Sequence, residues 1–261
     1  GAPDSAGVPA EIAGDTLTAN YNDLSSVEAL LKANPGQVAA VIVEPVAANM
    51  GVVPPQPGFL QGLRRLCDES GALLVFDEVI TGFRLAPGGA QEYYDVRADL
   101  VTYGKIIGGG MPVGAYGGSR KLMEQVAPLG PVYQAGTLSG NPVAMAAGLA
   151  QLRILKSTPE IYTNLERRGA MLEKGLREAL AGIPVQVNRV GSLLTVFFTD
   201  KPVTGYDAAR SSDLDAFRRW YLGLLEQGIY AAPSQFEAMF LCNAHTDGEM
   251  EKIVECAGKI F

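Results

Sequence analysis

Short apolar runs separated by turn residues recur along the first half of this chain, and they predict strands. The runs cover residues 38–43, 75–77, 100–102 and 113–116. Residues 72–76 are continuously apolar, which is typical of a strand buried on both faces of a parallel sheet. We therefore expect a mainly parallel sheet in this half of the chain.

Segments with helical periodicity lie between and after these runs. Helices are predicted from a Ser25–Ser26 cap to Asn34, from Pro57 to Gly71, from Asn141 to about Lys156, and from Pro159 to about Leu180. Strands that alternate with helices indicate βαβ units, so the first half of the sequence predicts an α/β fold.

Beyond residue 157 the pattern changes. Strands are predicted at 185–190, 193–198, 228–230 and 240–242, with an amphipathic helix at 214–227. The sequence Thr246-Asp247-Gly248-Glu249 is a capping box that opens a last helix. We therefore expect two units, part of a large domain over 1–156 and a small α+β domain over 157–261.

The composition fits an enzyme better than a nucleic-acid-binding or membrane protein. The 261 residues carry a formal net charge of −7 without a basic cluster, and no apolar run reaches membrane-spanning length. Cys67, Cys242 and Cys256 are widely spaced and odd in number, so we expect reduced thiols and no metal site. The single histidine, His245, is expected to have a structural role.

A lysine beside three glycines is the most informative chemical feature. Lys105 follows a short apolar run and precedes Gly108, Gly109 and Gly110, and glycines let the backbone approach a flat ligand closely. Desolvation in such a setting favours the neutral amine, which can attack a carbonyl carbon. The alternative is a surface lysine beside a flexible loop.

An acidic residue upstream supports the first interpretation. Asp77 ends the run 72–76, which puts it at the carboxyl end of a strand, where open α/β sheets bind ligands. A buried carboxylate needs a cationic partner, and pyridoxal-phosphate enzymes combine a Schiff-base lysine with an acid at the ring nitrogen. A helix cap or a surface ion pair is the alternative for Asp77.

Four motifs in this order carry a resemblance to a known family. They are EPVAANMG at 44–51, FDEVITGFR at 76–84, GKIIGGG at 104–110 and GTLSGNP at 136–142. Together they resemble the class III branch of fold-type I pyridoxal-phosphate enzymes and, within it, the glutamate-1-semialdehyde 2,1-aminomutases. The resemblance runs from about Gly14 to the end, and it implies that the chain is the larger, C-terminal part of such an enzyme.

The resemblance implies roles for residues around the cofactor ring. Lys105 would form the Schiff base and move protons as a general acid and base, and Asp77 would keep the ring nitrogen protonated. Val79 would pack under the ring, and Asn49 would hydrogen-bond the ring hydroxyl. From the residues alone, Val79 as plain core and Asn49 as a turn residue stay equally open.

Two further roles follow from the resemblance. Thr137 and Gly136 would bind phosphate oxygens of the cofactor in the neighbouring subunit, which implies a homodimer. A turn that caps the next helix is the alternative for these two residues. Glu237 would act at the substrate's amino group, which separates the aminomutases from ordinary transaminases, and a solvated loop glutamate is its alternative.

The implied activity is an intramolecular amino exchange that converts glutamate 1-semialdehyde to 5-aminolevulinate for tetrapyrrole synthesis. The cofactor would be pyridoxal 5'-phosphate in its pyridoxamine form, and 4,5-diaminovalerate would stay bound between the two halves of the reaction. The implied location is the cytoplasm or, in a plant or alga, the plastid stroma. Two alternatives stay open: a class III ω-amino-acid transaminase with an external amino donor, and an inactive C-terminal fragment.

Overall fold

A computed structural model describes Pro3 and residues 5–261. Its strands are β1 (Ala40–Val43), β2 (Leu73–Glu78), β3 (Leu100–Tyr103), β4 (Ala115–Gly118), β5 (Gln186–Val190), β6 (Leu193–Phe197) and β7 (Met239–Phe240). Its helices are α1 (Ala10–Gly14), α2 (Leu24–Ala33), α3 (Phe59–Ser70), α4 (Gly89–Tyr94), α5 (Arg120–Met123), α6 (Pro142–Ser157), α7 (Glu160–Ala179), α8 (Tyr206–Arg210), α9 (Leu214–Glu226) and α10 (Asp247–Ala257). A single 3-10 turn spans Lys105–Gly108.

The first sheet has the strand order β1-β2-β3-β4 and is mainly parallel, as predicted. Strand β2 pairs in parallel with β1 and with β3, whereas β4 runs antiparallel to β3. The register places Asp77 opposite Thr102. Strand β1 begins at Ala40 and β4 ends at Gly118, both later than the apolar runs indicated, because pairing with a neighbour sets strand bounds.

Among the residues that the structure describes, helices cover one face of this sheet. Leu74 and Phe76 of β2 are fully buried in a core formed with side chains of α2 and α3. On the opposite face Asp77 is half-buried, and Ile42 of β1 is 65% exposed. The prediction that 72–76 is buried on both faces is therefore wrong for this chain, because α2 and α3 both lie on the Phe76 side.

The helix ends differ from the predictions in detail. Asp23 caps α2, and its carboxylate accepts the N–H groups of Ser25 and Ser26, so the predicted caps lie inside the first turn. Helix α3 begins after Pro57, which lies outside it. Gly71 ends α3 as predicted, at φ 78°, a left-handed conformation that glycine adopts without steric cost.

The second sheet, β5-β6-β7, is antiparallel, and its side chains form one core with those of α7, α9 and α10. Trp220 of α9 is 1% exposed within this core. Thr246 and Glu249 form the predicted capping box at the start of α10. These elements give the α+β arrangement that the second half of the sequence predicted.

Two strand predictions in the second half need correction. The segment 228–230 is not a strand, because the N–H of Ile229 donates to the carbonyl of Leu224 at the end of α9 and is not free to pair with a neighbouring strand. Strand β7 covers Met239–Phe240, where it pairs with β6, and not the predicted 240–242. Short edge strands such as β7 are defined by their partner more than by their own sequence.

Buried side chains connect the second sheet to the loop that follows β1. Leu193 and Phe197 of β6 pack against the segment that follows β1, over residues 46–53. The division of the chain at residue 157 stays a prediction. Within the part of the chain that the structure describes, no helix is long and apolar enough to cross a membrane.

Candidate active site

The carboxyl ends of the three parallel strands bring several polar side chains together. Asp77 lies near the end of β2, and its Oδ1 accepts the N–H of Val79 at 3.0 Å and the hydroxyl of Thr102 at 3.3 Å. Its Oδ2 has no hydrogen-bond partner among the described residues. Asp77 therefore lies at the strand end where the sequence placed it, with one carboxylate oxygen left for a ligand.

Lys105 is separated from the end of β3 by Gly104 and opens the 3-10 turn. Its φ of 47° lies in the left-handed region, which costs a residue other than glycine on the order of 1 kcal/mol. Gly109 follows the turn at φ 57°, and a side chain there would overlap the carbonyl group of Ala147 in α6. Lys105 is exposed, so the described residues do not supply the desolvation that the sequence predicted.

A glycine in α6 sets the position of the Lys105 turn. A Cβ atom at Gly148 would overlap the carbonyl oxygen of Ile107 inside that turn. Gly148→Ala is therefore expected to push the turn away from α6 and to lower the free energy of unfolding by roughly 1–3 kcal/mol. Urea unfolding of the protein measures this change.

Gly248→Ala is the matched control for this prediction. Gly248 lies in α10 with open space around its Cα, so alanine there is expected to be neutral or slightly stabilising. If Gly148→Ala unfolds at the same urea concentration as Gly248→Ala, the close contact between α6 and the Lys105 turn does not constrain the site.

The segment after β2 is fixed by packing. Val79 is half-buried, and a Cβ atom added to Gly104 would come within 3.2 Å of Val79 Cγ1. Phe83 adopts a φ of 58°, and its ring centroid lies 5.7 Å from that of Tyr103. The carbonyl of Phe83 accepts the hydroxyl of Tyr162 in α7 at 3.0 Å. This segment is thus tied to the second half of the chain.

Arg84 makes a second connection between the two halves. Its guanidinium carbon lies 4.6 Å from the ring centroid of Phe240 in β7, and its Nε donates to the carbonyl of Ile80 at 3.2 Å. Burial lowers the pKa of Arg84 to about 10, so the side chain stays cationic at neutral pH. Stacking of this cation on the ring stabilises the contact.

Asn49 is exposed on the loop that follows β1. Its Nδ2 donates to Oε1 of Glu44 at 2.9 Å, while Oε2 of Glu44 accepts the N–H of Ala48 at 3.0 Å. Glu44 directly follows Val43, which pairs with Phe76, so this arrangement lies beside the end of β2. An amide nitrogen carries two hydrogens, and one of them stays available to a ligand.

Glu237 lies on the loop before β7, and its exposed carboxylate has no hydrogen-bond partner among the described residues. Thr195 of β6 connects this loop to the loop after β1, because its hydroxyl accepts the N–H of Val52 at 3.0 Å and donates to the carbonyl of Glu237 at 3.3 Å. The N–H of Gly51 also donates to the carbonyl of Phe236 at 2.8 Å.

Gly136 and Thr137 lie in an exposed turn before α6. The carbonyl of Gly136 accepts the N–H of Ser139 at 3.0 Å, and the side chain of Asn141 caps α6. Within the described residues, no side-chain hydrogen bond or ion pair joins Thr137 to the other candidate residues. The phosphate-binding role of this turn stays a prediction.

These groups suit a flat organic ligand that has a carbonyl carbon and a protonated ring nitrogen. Lys105 supplies an amine, Asp77 a free carboxylate oxygen, and Asn49 an amide hydrogen. Across residues 3 and 5–261 there is no group of three or more His, Cys, Asp or Glu side chains that could bind a metal ion. The Nδ1 of His245 accepts the N–H of Cys242 at 3.1 Å, which fits the structural role expected of this residue.

Comparison with known families agrees with this arrangement. The family profile described as aminotransferase class-III matches residues 3–256. The chain belongs to the class-III aminotransferase family. This membership confirms the α/β fold of fold-type I pyridoxal-phosphate enzymes that the four motifs predicted.

Named relatives of this class-III protein include aminomutases and transaminases. A glutamate-1-semialdehyde 2,1-aminomutase from Ruminiclostridium cellulolyticum is 59% identical over 98% of this chain and 60% of its own length. An omega-transaminase structure from Sphaerobacter thermophilus matches with TM-score 0.89 and 34% identity, over 98% of this chain and 59% of that one. The structure of a variant glutamate-1-semialdehyde-aminomutase from Pseudomonas aeruginosa in complex with PMP matches with TM-score 0.83 and 29% identity. The match covers 98% of this chain and 60% of that one. The chain thus spans about 60% of the length of the curated relatives it matches.

Sequence reasoning missed several side chains that position the candidate residues. Thr102 contacts Asp77, Glu44 contacts Asn49, and Thr195 holds the loop that carries Glu237. Thr102 and Thr195 carry no sequence signal, because each acts through a partner distant in the chain. Glu44 stands inside the first motif, so its place in the site could have been suspected.

Proposed function

We propose that the full-length protein is a glutamate-1-semialdehyde 2,1-aminomutase. It moves an amino group between neighbouring carbons of one substrate molecule and so converts glutamate 1-semialdehyde to 5-aminolevulinate. The observation that carries this proposal is the 59% identity to relatives of that name along 98% of the chain. The exposed Lys105 and the half-free carboxylate of Asp77, which lie at the ends of the neighbouring strands β3 and β2, support it.

Pyridoxal 5'-phosphate, used in its pyridoxamine form, is the cofactor that these residues fit. When bound, it supplies an electron sink and carries the amino group. Lys105 would bind the pyridoxal form of the cofactor through its aldehyde carbon and, in the pyridoxamine form, would be free to move protons as a general acid and base. Asp77 would hold the protonated ring nitrogen through Oδ2, since Oδ1 already accepts the N–H of Val79 and the hydroxyl of Thr102.

Other residues would orient the cofactor and the substrate. The free Nδ2 hydrogen of Asn49 donates to the ring hydroxyl, and Val79 packs under the ring. Glu237 binds the amino group of the substrate, because its carboxylate attracts an ammonium group. The same carboxylate repels a second carboxylate, which discriminates against the keto acids that transaminases accept.

The proposal includes a homodimer. Gly136 and Thr137 would bind the phosphate of the cofactor in the neighbouring subunit. Beside them, Tyr133 is 83% exposed and Leu138 is 73% exposed, and an apolar surface of this kind favours contact with a partner. The expected location is the cytoplasm or, in a plant or alga, the plastid stroma.

A class III ω-amino-acid transaminase is the second candidate function. The TM-scores favour it, because the score with the omega-transaminase from Sphaerobacter thermophilus (0.89) is higher than the score with the Pseudomonas aeruginosa aminomutase variant (0.83). In that case an external amine would supply the nitrogen, and a keto acid would be needed as acceptor.

Product formation without any external amine tests the proposal. The purified full-length protein, given pyridoxamine phosphate and glutamate 1-semialdehyde alone, is expected to form 5-aminolevulinate over many turnovers. Chromatography measures the amount of 5-aminolevulinate formed. If turnover starts only when an amino donor is added, the protein is a transaminase and not an aminomutase. If there is no turnover under either condition, both proposed functions are wrong. The chain 1–261 alone, assayed in parallel, tests whether it is an inactive fragment.

A further inference from the structure

Two loops from distant parts of the sequence are joined in this fold. The Asn49 loop (residues 47–53) is closed by reciprocal hydrogen bonds between Ala47 and Val53, of 3.1 and 2.9 Å. The Glu237 loop (residues 234–238) precedes β7 and carries the exposed carboxylate. Under the proposed function, the first loop contacts the cofactor ring and the second contacts the substrate.

The hydroxyl of Thr195 is the side-chain group that bridges these loops. It accepts the N–H of Val52 at 3.0 Å and donates to the carbonyl of Glu237 at 3.3 Å. Thr195 is 3% exposed, so water does not replace either partner. Loss of this hydroxyl would leave a buried N–H donor without an acceptor, which is more costly than the bond itself is worth.

Strand β6 supports the same two loops around Thr195. A Cβ atom at Gly51 would overlap the ring of Phe197, so the Asn49 loop lies directly on the strand. The side chain of Gln235 in the Glu237 loop donates to the carbonyl of Val196 at 3.0 Å and is 2% exposed. Both loops are therefore held from one rigid element. They meet through the side-chain hydroxyl of Thr195 and through the backbone bond from the N–H of Gly51 to the carbonyl of Phe236.

We propose that Thr195 is a positioning residue that fixes the Glu237 carboxylate relative to the Asn49 amide. This inference rests on the proposed function, in which the amino-bearing species must stay bound between the two halves of the reaction. If the Glu237 loop moves away from the Asn49 loop, the carboxylate no longer restrains the ammonium group. The diamine is then released before the second nitrogen transfer, and the nitrogen is lost from the cycle.

Thr195→Val in the full-length protein tests this role, since valine keeps the β-branched shape and removes the hydroxyl. Thr195→Ser restores the hydroxyl. Thr199→Val is the matched control: Thr199 lies just beyond β6, and its hydroxyl accepts only the N–H of Lys201, at 3.2 Å. The measurements are amide hydrogen exchange over 47–53 and 234–238, the Michaelis constant and kcat for glutamate 1-semialdehyde, and released 4,5-diaminovalerate.

In Thr195→Val, we expect amide exchange over both loops and the released diamine fraction to rise on the order of tenfold, with a higher KM. Thr195→Ser should stay within about twofold of the wild type, and Thr199→Val should leave both loops unchanged. If Thr195→Val matches Thr199→Val in exchange and in diamine release, the positioning role is wrong. Thr195→Cys, judged by the same criteria, replaces Thr195→Val if the latter does not fold.

The experiments distinguish an error in the proposed function from an error in the role of Thr195. A wild-type protein that makes no 5-aminolevulinate without an external amine contradicts the aminomutase assignment. The exchange measurements would still report whether the Thr195 hydroxyl joins the two loops.

Discussion

Lys105→Ala is expected to lower the turnover of the full-length protein by more than roughly a thousandfold, because one amine serves as cofactor-binding nucleophile and as proton carrier. Alanine removes both functions and leaves Asp77 and Asn49 in place to bind the cofactor. The variant should therefore still bind pyridoxamine phosphate. Steady-state formation of 5-aminolevulinate and equilibrium binding of pyridoxamine phosphate measure the two properties separately.

Borohydride reduction gives a test of Lys105 that does not depend on turnover. In the wild type loaded with pyridoxal phosphate, reduction should fix the cofactor to the peptide that contains Lys105, as a mass increase. Lys121→Ala is the control, since Lys121 is exposed in α5 and makes no ion pair with the described residues. Labelling that persists at another lysine in Lys105→Ala, together with normal turnover, would reject Lys105 as the nucleophile.

The positions of Lys105 and Asp77 at one edge of the sheet could be predicted from the sequence, because a parallel sheet brings its strand ends together. Each residue follows a short apolar run, and βαβ connections leave consecutive strands parallel. The sequence therefore predicted the edge and the residues, but not the backbone. The φ of 47° at Lys105 could not be read from residue types, since a lysine rarely adopts the left-handed conformation.

The residues that hold the site together could not be predicted, and the reason is their distance along the chain. Thr195 contacts Val52 across 143 positions, and Thr102 contacts Asp77 across 25. A threonine in a strand is ordinary, because β-branched residues favour strands. Its hydroxyl acquires a role only when the fold brings a donor or an acceptor to it.

Sequence patterns predicted helix ends correctly where the interacting residues lie within the same helix end. Gly71 and the Thr246–Glu249 capping box end and begin their helices as predicted, since their partners lie within the same few residues. The Ser25–Ser26 cap was wrong because Asp23 stands two residues earlier and its carboxylate accepts both N–H groups. Choosing between neighbouring cap residues requires the backbone conformation, which the sequence does not show.

Glu78→Ala is expected to lower the free energy of unfolding of the full-length protein by roughly 4 kcal/mol. Glu78 is the neighbour of Asp77 in the chain, but its role is to stabilise the fold. Glu78 is 0% exposed, and its carboxylate accepts the hydroxyl of Thr81 at 3.0 Å and the N–H groups of Ala90 at 2.6 Å and Gln91 at 3.2 Å. Alanine leaves the buried donors of Thr81 and Ala90 and the part-buried N–H of Gln91 without this acceptor. The start of α4 and the 76–84 segment would then separate, and urea unfolding measures the loss.

Glu92→Ala is the matched control, because the exposed Glu92 accepts only the N–H of Gly88 at the same helix start. Glu92→Ala should lower the free energy of unfolding by less than about 1 kcal/mol. If Glu78→Ala and Glu92→Ala unfold at the same urea concentration, the buried carboxylate does not organise the segment.

The pH dependence of stability distinguishes the burial of Glu78 from its hydrogen bonds. Burial raises the pKa of Glu78 above its ordinary 4.5, while the hydrogen bonds from Ala90, Thr81 and Gln91 oppose that shift. Because the folded state favours the protonated carboxyl, this contribution is fully present below pH 4.5 and is lost as pH rises through the raised pKa. Glu78→Gln cannot ionise, so its free energy of unfolding should lack this decline, and an identical pH profile in both proteins would show that Glu78 titrates as an ordinary carboxyl.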